Sequence, residues 1–494
     1  MKALHYVGAI AMAVSAWGLL LPAAIARPLS DQDRSALTAS IDGRKGQLAA
    51  NARQIWEWAE VGFHEERSAA LLQDQLRAAG FRIDKGVAGI PTAFVANFGN
   101  GGPVIAYLAE YDALPGLSQT DTPVVGSRGG VAGHACGHNL LGTASVEAAI
   151  ALSRWLKQTG TPGTVRLYGS PAEEGGFAKV YFVRDGLFHD VDAVLSWHPG
   201  GQNGASQGQL LSMLTVKFRF DGIASHAAVA PERGRSALDG VEIQNVAVNY
   251  LREHVPQDVR IHYTITDGGD QPNIVPAHAE SFYYIRHYDP AVVRDVFERV
   301  KKAGEGAALA TGTRFSFEVI GGSFGTLPND VLGKVVDANL RRVGGYRYTP
   351  AETRYAEAIA KTLPEGSGKG DPSTIGAYDF GRKSPASSDV GDISWVVPTS
   401  SLGTATWVPG TAPHSWQAAS ASGTSIGVSG ALVAAKTLAL SGAELLLDPD
   451  SLRAAKAELD KSRGAGFRYE PLLGDRKPPL DYTDAPVKAK GAAQ

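Results

Sequence analysis

Three apolar runs, 104–109, 164–168 and 193–196, each end abruptly in residues able to hold a proton or a metal. This recurrence constrains the fold more than any other feature of the chain. The first run leads into Glu110-Tyr111-Asp112-Ala113-Leu114-Pro115, the second into Gly169-Ser170-Pro171-Ala172-Glu173-Glu174-Gly175-Gly176, and the third into Trp197-His198-Pro199-Gly200. Short continuous apolar runs bounded by turn residues read as buried strands. Strands that alternate with helices imply a mostly parallel sheet, whose strand carboxyl ends gather on one edge, where ligands bind. The expected fold class is α/β.

Between the first two runs lies Gly133-His134-Ala135-Cys136-Gly137-His138-Asn139, which places the single cysteine of the 494-residue chain two residues from a histidine. A lone cysteine is commonly a small buried hydrophobe, and a lone histidine a hydrogen-bonded structural residue. Here glycines flank the pair and a small-residue apolar helix follows at 140–156, so the pair sits on a tight loop entering a helix. Thiolate and imidazole at a helix start are expected to have lowered proton affinity, which suits metal binding.

The first residues read as a leader. Lys2, an apolar stretch at 7–21 and the A-x-A pattern Ala24-Ile25-Ala26 predict a signal peptide over 1–26, and hence a periplasmic or secreted protein with no membrane attachment after cleavage. An exported free thiol with no second cysteine to pair with invites oxidation unless it is buried or ligated. A formal net charge of -3, with no long basic run outside the tail, argues against nucleic acid or anionic lipid as a partner.

A chain of this length is expected to form two domains. Residues 30–80 read as helices, and within them His64-Glu65-Glu66-Arg67-Ser68 begins like the zinc-protease motif H-E-x-x-H but has Ser68 in place of the second histidine, so that motif is discarded. From 210 to 322 the order is strand, helix, strand, strand, helix, strand, the split β-α-β arrangement of a small α+β unit. It reads as a lid or dimerisation domain inserted into a catalytic domain made of 27–209 and 323–445. A helix is expected at 329–343, a Gly, Pro and Ser rich loop at 366–385, and a small-residue helix ending near 440. The extension 446–494 holds one short helix and an end expected to be disordered.

Five candidate ligands fall at loop ends on one sheet edge: Cys136, His138, one of the pair Glu173 and Glu174, His198 and His414. They exceed one tetrahedral site with an open position but suit two divalent ions sharing a ligand. Sulfur and nitrogen donors favour Zn or a comparable transition metal, with Mn also compatible. Adjacent side chains diverge, so one carboxylate of the pair can coordinate metal. Its neighbour can then act as general base, taking a proton as water attacks a carbonyl and passing it to the leaving nitrogen. Two other chemistries fail. His278-Ala279-Glu280 lacks the two further cysteines of a nucleobase deaminase, and Gly423-Thr424-Ser425-Ile426-Gly427 does not fall at a strand-to-helix turn as a serine nucleophile requires.

Together with Ala224-Ser225-His226, Pro272-Asn273-Ile274-Val275-Pro276 and Pro413-His414, these segments resemble metallopeptidase family 20 over about 56–440. The similarity is to its Cys-containing branch of N-acyl-amino-acid amidohydrolases, auxin-conjugate hydrolases and aminobenzoyl-glutamate utilisation proteins. Ser388-Asp389-Val390-Gly391-Asp392-Ile393-Ser394-Trp395 and Tyr469-Glu470-Pro471-Leu472-Leu473 resemble the aminobenzoyl-glutamate utilisation protein B group. The resemblance implies a dinuclear metallohydrolase with Cys136, His138, Glu174, His198 and His414 as metal ligands and Glu173 as the base. It further implies that His226 and Asn273 reach the substrate across a dimer interface and stabilise the oxyanion, that Arg286 meets a substrate carboxylate, and that Asp112 orients His138. Two positions depart from relatives: Asn139 stands where many have Asp, and Glu110 with Asp112 replaces the His-x-Asp of the peptidase branches. The implied function is hydrolysis of the amide of a small N-acyl or N-aroyl amino acid by a homodimer, with a heterodimer as the other arrangement. The alternatives are a dipeptidase or carboxypeptidase of the same family, or a catalytically silent member of a pair of different chains.

Overall fold

The computed structural model describes residues 27–367 and 370–483; the leader expected over 1–26 and the end expected to be disordered, 484–494, lie outside the described residues. The described chain begins with three helices, Asp31–Asp42 (α1), Lys45–Trp58 (α2) and Glu66–Ala78 (α3). Ser30 caps the first by accepting from Asp33 N at 3.1 Å. Strands Arg82–Lys85 (β1), Phe94–Asn100 (β2) and Val104–Glu110 (β3) follow, then a two-residue ladder of Leu114–Pro115 (β4) with Ala132–Gly133 (β5). Helix His138–Thr159 (α4) leads to Gly163–Ser170 (β6), Ala178–Arg184 (α5) and Ala193–Gly200 (β7). The last strand extends past residue 196, so His198 sits on the strand end and not on a loop.

Gln207–Gln209 (β8) precedes a second unit: Ser212–Asp221 (β9), Ala237–Leu251 (α6), Arg260–Asp267 (β10), His278–His287 (β11), Pro290–Thr311 (α7) and Arg314–Ser323 (β12). Its four strands form an antiparallel sheet in the order β10-β11-β9-β12. Asp330–Val343 (α8) and Pro350–Ala360 (α9) come next. The second of these was not anticipated, although its capping box, in which Thr349 and Glu352 each bond the other's backbone N–H, is written in the sequence. Within 366–385, expected as loop, Phe380–Lys383 (β13) pairs parallel with β8; four exposed residues without apolar alternation give no strand signal. Val390–Ser394 (α10), Thr399–Ala405 (β14), Trp416–Ala421 (α11), Ser425–Leu447 (α12) and Pro449–Arg463 (α13) complete the α-helices and strands among the described residues.

The main sheet has the order β1-β2-β6-β3-β7-β14. β6, β3, β7 and β14 run parallel, while β1 and β2 are antiparallel additions at one side. Alternation along each strand builds two cores. Ile105, Tyr107 and Ala109 of β3 join Val165, Leu195, α4 and α12 on one face, whereas Ala106 and Leu108 join Tyr168, Val194 and α5 on the other. Buried from both sides, these strands read as continuous apolar runs. By length and composition α12 is apolar enough to cross a membrane, but it is mostly buried inside the protein and serves as a core helix.

Helix α4 crosses β3 so closely that a Cβ on Gly142 would lie 2.6 Å from the Glu110 carbonyl oxygen, a backbone atom that cannot swing aside. Gly142→Val is expected to lower unfolding stability by about 1–3 kcal/mol, the usual cost of overpacking, measured by denaturant unfolding. Unchanged stability would show that the α4–β3 approach is looser than described.

Candidate metal centre

Three parallel strands deliver the acidic and imidazole groups, and a glycine joins them to the cysteine. Gly137, at φ +76°, lies between Cys136 and His138 and begins α4. A Cβ there would be 2.8 Å from Pro199, the neighbour of His198, so a glycine is needed both for the left-handed backbone and for the close approach of the β7 end. The turn after β6 is held from behind. Ala172, at φ +54°, donates its N–H to Glu65 Oε1 at 2.9 Å, and the fully buried Glu65 also accepts from Thr92 at 3.0 Å. Glu173 and Glu174 project from this turn. His414, at φ +58°, is tied down by its N–H to Ala135 O at 3.1 Å.

These constraints bring together every residue expected to hold metal. Cys136 Sγ lies 3.4 Å from His198 Nε2, and His414 Nε2 lies 3.0 Å from Glu174 Oε1. Three donor groups have all their ligand atoms within 4.8 Å of one another: Cys136, His138 and His198; Cys136, Glu174 and His414; and Glu110, His138 and Glu173. Each of the first two imidazoles uses Nδ1 for a structural bond. His138 Nδ1–H donates to Asp112 Oδ1 at 2.8 Å, and His198 Nδ1–H donates to Pro199 O at 2.8 Å, which leaves both Nε2 lone pairs for a metal. The other oxygen of Asp112 accepts from Glu174 N at 3.0 Å, so one carboxylate orients a histidine and the acidic turn together. Asn139 donates to Ala52 O at 3.1 Å and Ser422 O at 3.0 Å, two bonds that an aspartate could not make.

Buried polar atoms without a hydrogen-bond partner test whether divalent metal fits. His138 Nε2 and Glu110 Oε2 are two such atoms, facing each other at 3.3 Å within one donor group. Orphaned acceptors converging on one place are what a cation requires. The floor is buried, with His138 and Asp112 fully so, while the rim is open, with the His414 side chain 51% exposed. The arrangement is therefore a metal-compatible floor beneath an accessible mouth.

Burial pushes the Cys136 thiol up, and His138 also binds its proton more tightly because the Cys136 sulfur and Asp112 outweigh the effect of burial. The lowered proton affinity expected for a helix start is thus not found: removal from water and the adjacent carboxylate outweigh the helix terminus. Burial, with Glu110 and Glu174 beside it, also raises Glu173 well above the usual carboxylate range. Sequence reasoning missed Lys179. Fully buried, it sits 2.6 Å from Asp389 Oδ1 and 2.8 Å from Glu110 Oε1, and its backbone N–H bonds Asp389 Oδ2 at 3.0 Å. A charged residue in the apolar stretch Phe177-Ala178-Lys179-Val180 was the available signal.

Three expected substrate residues lie elsewhere. His226 and Asn273 are exposed on neighbouring loops of the second unit, linked by the antiparallel bridge His226↔Ile274 and the Ala227 N–H to Asn273 O bond of 2.9 Å. The His226 ring accepts from its own turn, at Ala228 N and Val229 N, and joins none of the donor groups. Arg286, on β11, lies over the Tyr284 ring at 5.4 Å. Replacing Lys179 by Met would leave Glu110 and Asp389 buried without their cation. This is expected to cost about 3–5 kcal/mol of stability, read by denaturant unfolding of full-length protein; a variant as stable as the unaltered chain would remove Lys179 from this account.

The pattern of peptidase family M20/M25/M40 matches residues 106–445. The chain is 40% identical over 483 residues to the B-type subunit of p-aminobenzoyl-glutamate hydrolase of Escherichia coli (strain K12), a match covering 91% of this chain and 98% of that protein. It is 31% identical over 318 residues to the Xaa-Arg dipeptidase of Mus musculus, covering 62% of this chain and 70% of that protein. Among solved structures, an aminobenzoyl-glutamate utilization protein from Klebsiella pneumoniae has the same fold with a TM-score of 0.58 at 19% identity, covering 82% of this chain and 97% of that chain. A dinuclear metal binding peptidase of the M20 family from Bacillus subtilis has a TM-score of 0.53 at 19% identity, covering 80% of this chain and 98% of that chain. With the family pattern spanning the described donor groups, the chain belongs to peptidase family M20/M25/M40 and is a hydrolase.

Proposed function

We propose that this chain is an exported amidohydrolase that cleaves the amide of an N-acyl or N-aroyl amino acid, of the aminobenzoyl-glutamate type, at a centre for two divalent ions, Zn or Mn. The observation that carries the reading is that two donor groups, Cys136-His138-His198 and Cys136-Glu174-His414, lie side by side and share one thiol, a donor set that would hold two divalent ions. Similarity to the B-type polypeptide of the Escherichia coli p-aminobenzoyl-glutamate hydrolase supports the substrate class. Export rests on the leader pattern at 1–26.

When bound, the metals would polarise the substrate carbonyl and lower the pKa of the attacking water. Cys136, His138, Glu174, His198 and His414 would hold them, with Asp112 fixing the His138 ring. Glu173, which is next to Glu174 and makes up a donor group with His138 and Glu110, takes the proton from water as it attacks the carbonyl carbon. It then delivers that proton to the departing nitrogen. His226 and Asn273 are assigned to the oxyanion of a neighbouring copy. Their exposure together with that of Ile223, Val229 and Ile274 supports a surface that a second chain covers. Arg286 is assigned to a substrate carboxylate. The partner is a second copy or a chain like the A-type polypeptide of the Escherichia coli hydrolase, to which this chain is 27% identical over 331 residues. The Xaa-Arg dipeptidase similarity keeps a dipeptidase as the second reading.

Glu173→Ala is expected to reduce turnover on the order of 10²–10⁴-fold with metal content unchanged by elemental analysis; normal turnover would sink the assigned base. Elemental analysis of active protein should return two divalent ions per chain, and active protein without metal refutes the centre. On metal-reconstituted protein, aminobenzoyl-glutamate should be hydrolysed in preference to dipeptides, and the reverse order selects the dipeptidase. Activity that appears only after a second, different chain is added favours the reading as a silent member of a pair.

A further inference from the structure

Residues 464–483 follow the last helix, lie beyond the 106–445 family match, and have no regular secondary structure, yet they are anchored along most of their length. Phe467 packs on Trp395 with ring centroids 5.2 Å apart, and the Tyr469 hydroxyl donates to the buried Asp392 at 2.7 Å. The next anchors divide between the two units. Glu470 O accepts from Arg294 of α7, and Leu472 is buried in the core of the second unit, where it meets Gly322. Leu473, its immediate neighbour, is buried in the core of the main sheet. Arg476 donates to Glu318 at 2.6 Å and Val319 O at 3.1 Å on β12, while its own carbonyl accepts from Arg184 of α5 at 2.7 Å.

The segment then reaches the acidic turn. The Tyr482 ring meets Phe63 edge-on at 5.5 Å, and Thr483 Oγ1 donates to Gly62 O at 3.2 Å. A Cβ added to Gly62 would fall 2.0 Å from the Tyr482 hydroxyl oxygen, and one added to Gly175 would fall 3.2 Å from the ring carbon Cε2. Gly175 directly follows Glu174 and has φ +134°. The ring therefore fills a seat walled by two glycines, one of which belongs to the Glu173-Glu174 turn.

We propose that residues 464–483 form a strap that fastens the second unit to the main domain and seats Tyr482 against the Glu173-Glu174-Gly175 turn, making Tyr482 a positioning residue for the metal centre. The proposal rests on the reading of that centre given above. Two carboxylates on a turn with positive φ at both Ala172 and Gly175 need packing from outside as well as the Glu65 bond from behind. Tyr482 supplies the outside support, and the double anchorage at Leu472 and Leu473 sets where the ring arrives.

The test uses full-length Tyr482→Ala and Tyr482→Phe proteins loaded with Zn or Mn. Three quantities are compared with the unaltered chain: metal retention against a chelator, kcat and KM on the preferred substrate, and Tm. Tyr482→Ala is expected to weaken metal retention and lower kcat, each on the order of tenfold, as loss of outer support for ligands does, with KM changed by less than about twofold. Tyr482→Phe keeps the ring and should preserve both. Unchanged retention and kcat in Tyr482→Ala, or a lower Tm with both preserved, overturns the proposal. So does Tyr482→Phe as damaged as Tyr482→Ala, because the hydroxyl and not the packed ring would then be the working group. If the unaltered protein hydrolyses no amide, the proposed reaction fails, while metal retention still decides the role of Tyr482.

Discussion

Crowding of buried carboxylates at one sheet edge is the constraint on which the rest of the structure depends. The buried Glu65, Glu110, Asp112 and Asp389 and the partly buried Glu173 and Glu174 meet behind and around the donor groups, and Lys179 is the one lysine or arginine fully buried among the described residues. Like charges removed from water repel strongly unless cations are interposed. One cation is covalently part of the chain, clamped between Glu110 and Asp389; the remaining imbalance suits divalent metal. The helices and strands of the main domain can be read as the scaffold that makes this crowding tolerable.

That scaffold divides the labour by position. The strands fix where Glu110, Asp112, the Glu pair and His198 emerge, because parallel strands share a direction and so present their carboxyl ends together. The helix start fixes Cys136 and His138 relative to that edge, through a glycine that allows Pro199 to approach. Hydrogen bonds behind the donor atoms set the ring and carboxylate orientations: Asp112 to His138 and Glu174, Glu65 to Ala172, and Pro199 to His198. Removing any one leaves the ligand list intact but loosens its geometry.

The second unit and the C-terminal segment lie outside the donor groups. The main domain offers a floor and an open mouth, whereas the loops bearing His226 and Asn273 face solvent on another part of the molecule. Such a division suits a site completed by movement or by a second chain, and it makes the angle between units consequential. A segment whose successive leucines enter two different cores is a direct means of setting that angle.

The fold class and the main elements were legible in the sequence because they arise from local periodicity: 104–109 and 193–195 are apolar on both faces, 164–168 is interrupted only by Thr164 and Arg166, and the late helix is apolar nearly all round. The set of candidate ligands was legible for a related reason, since each residue stands directly after an apolar run or a glycine turn. What the sequence could not decide were quantities fixed by distant partners. Lys179 looks like an isolated charge until Asp389, 210 residues away, closes on it, and Tyr482 looks like part of a polar tail until Gly62 and Gly175 make room for its ring. Proton affinities at Cys136 and His138 ran opposite to the local expectation, because burial keeps the proton on the thiol, while at His138 burial is outweighed by the Cys136 sulfur and Asp112 beside the ring. Local patterning thus determined which elements form and which residues reach the sheet edge. Tertiary structure decided which charges lose their water there and what neutralises them, because desolvation depends on every atom that packs nearby and not on the neighbours in sequence.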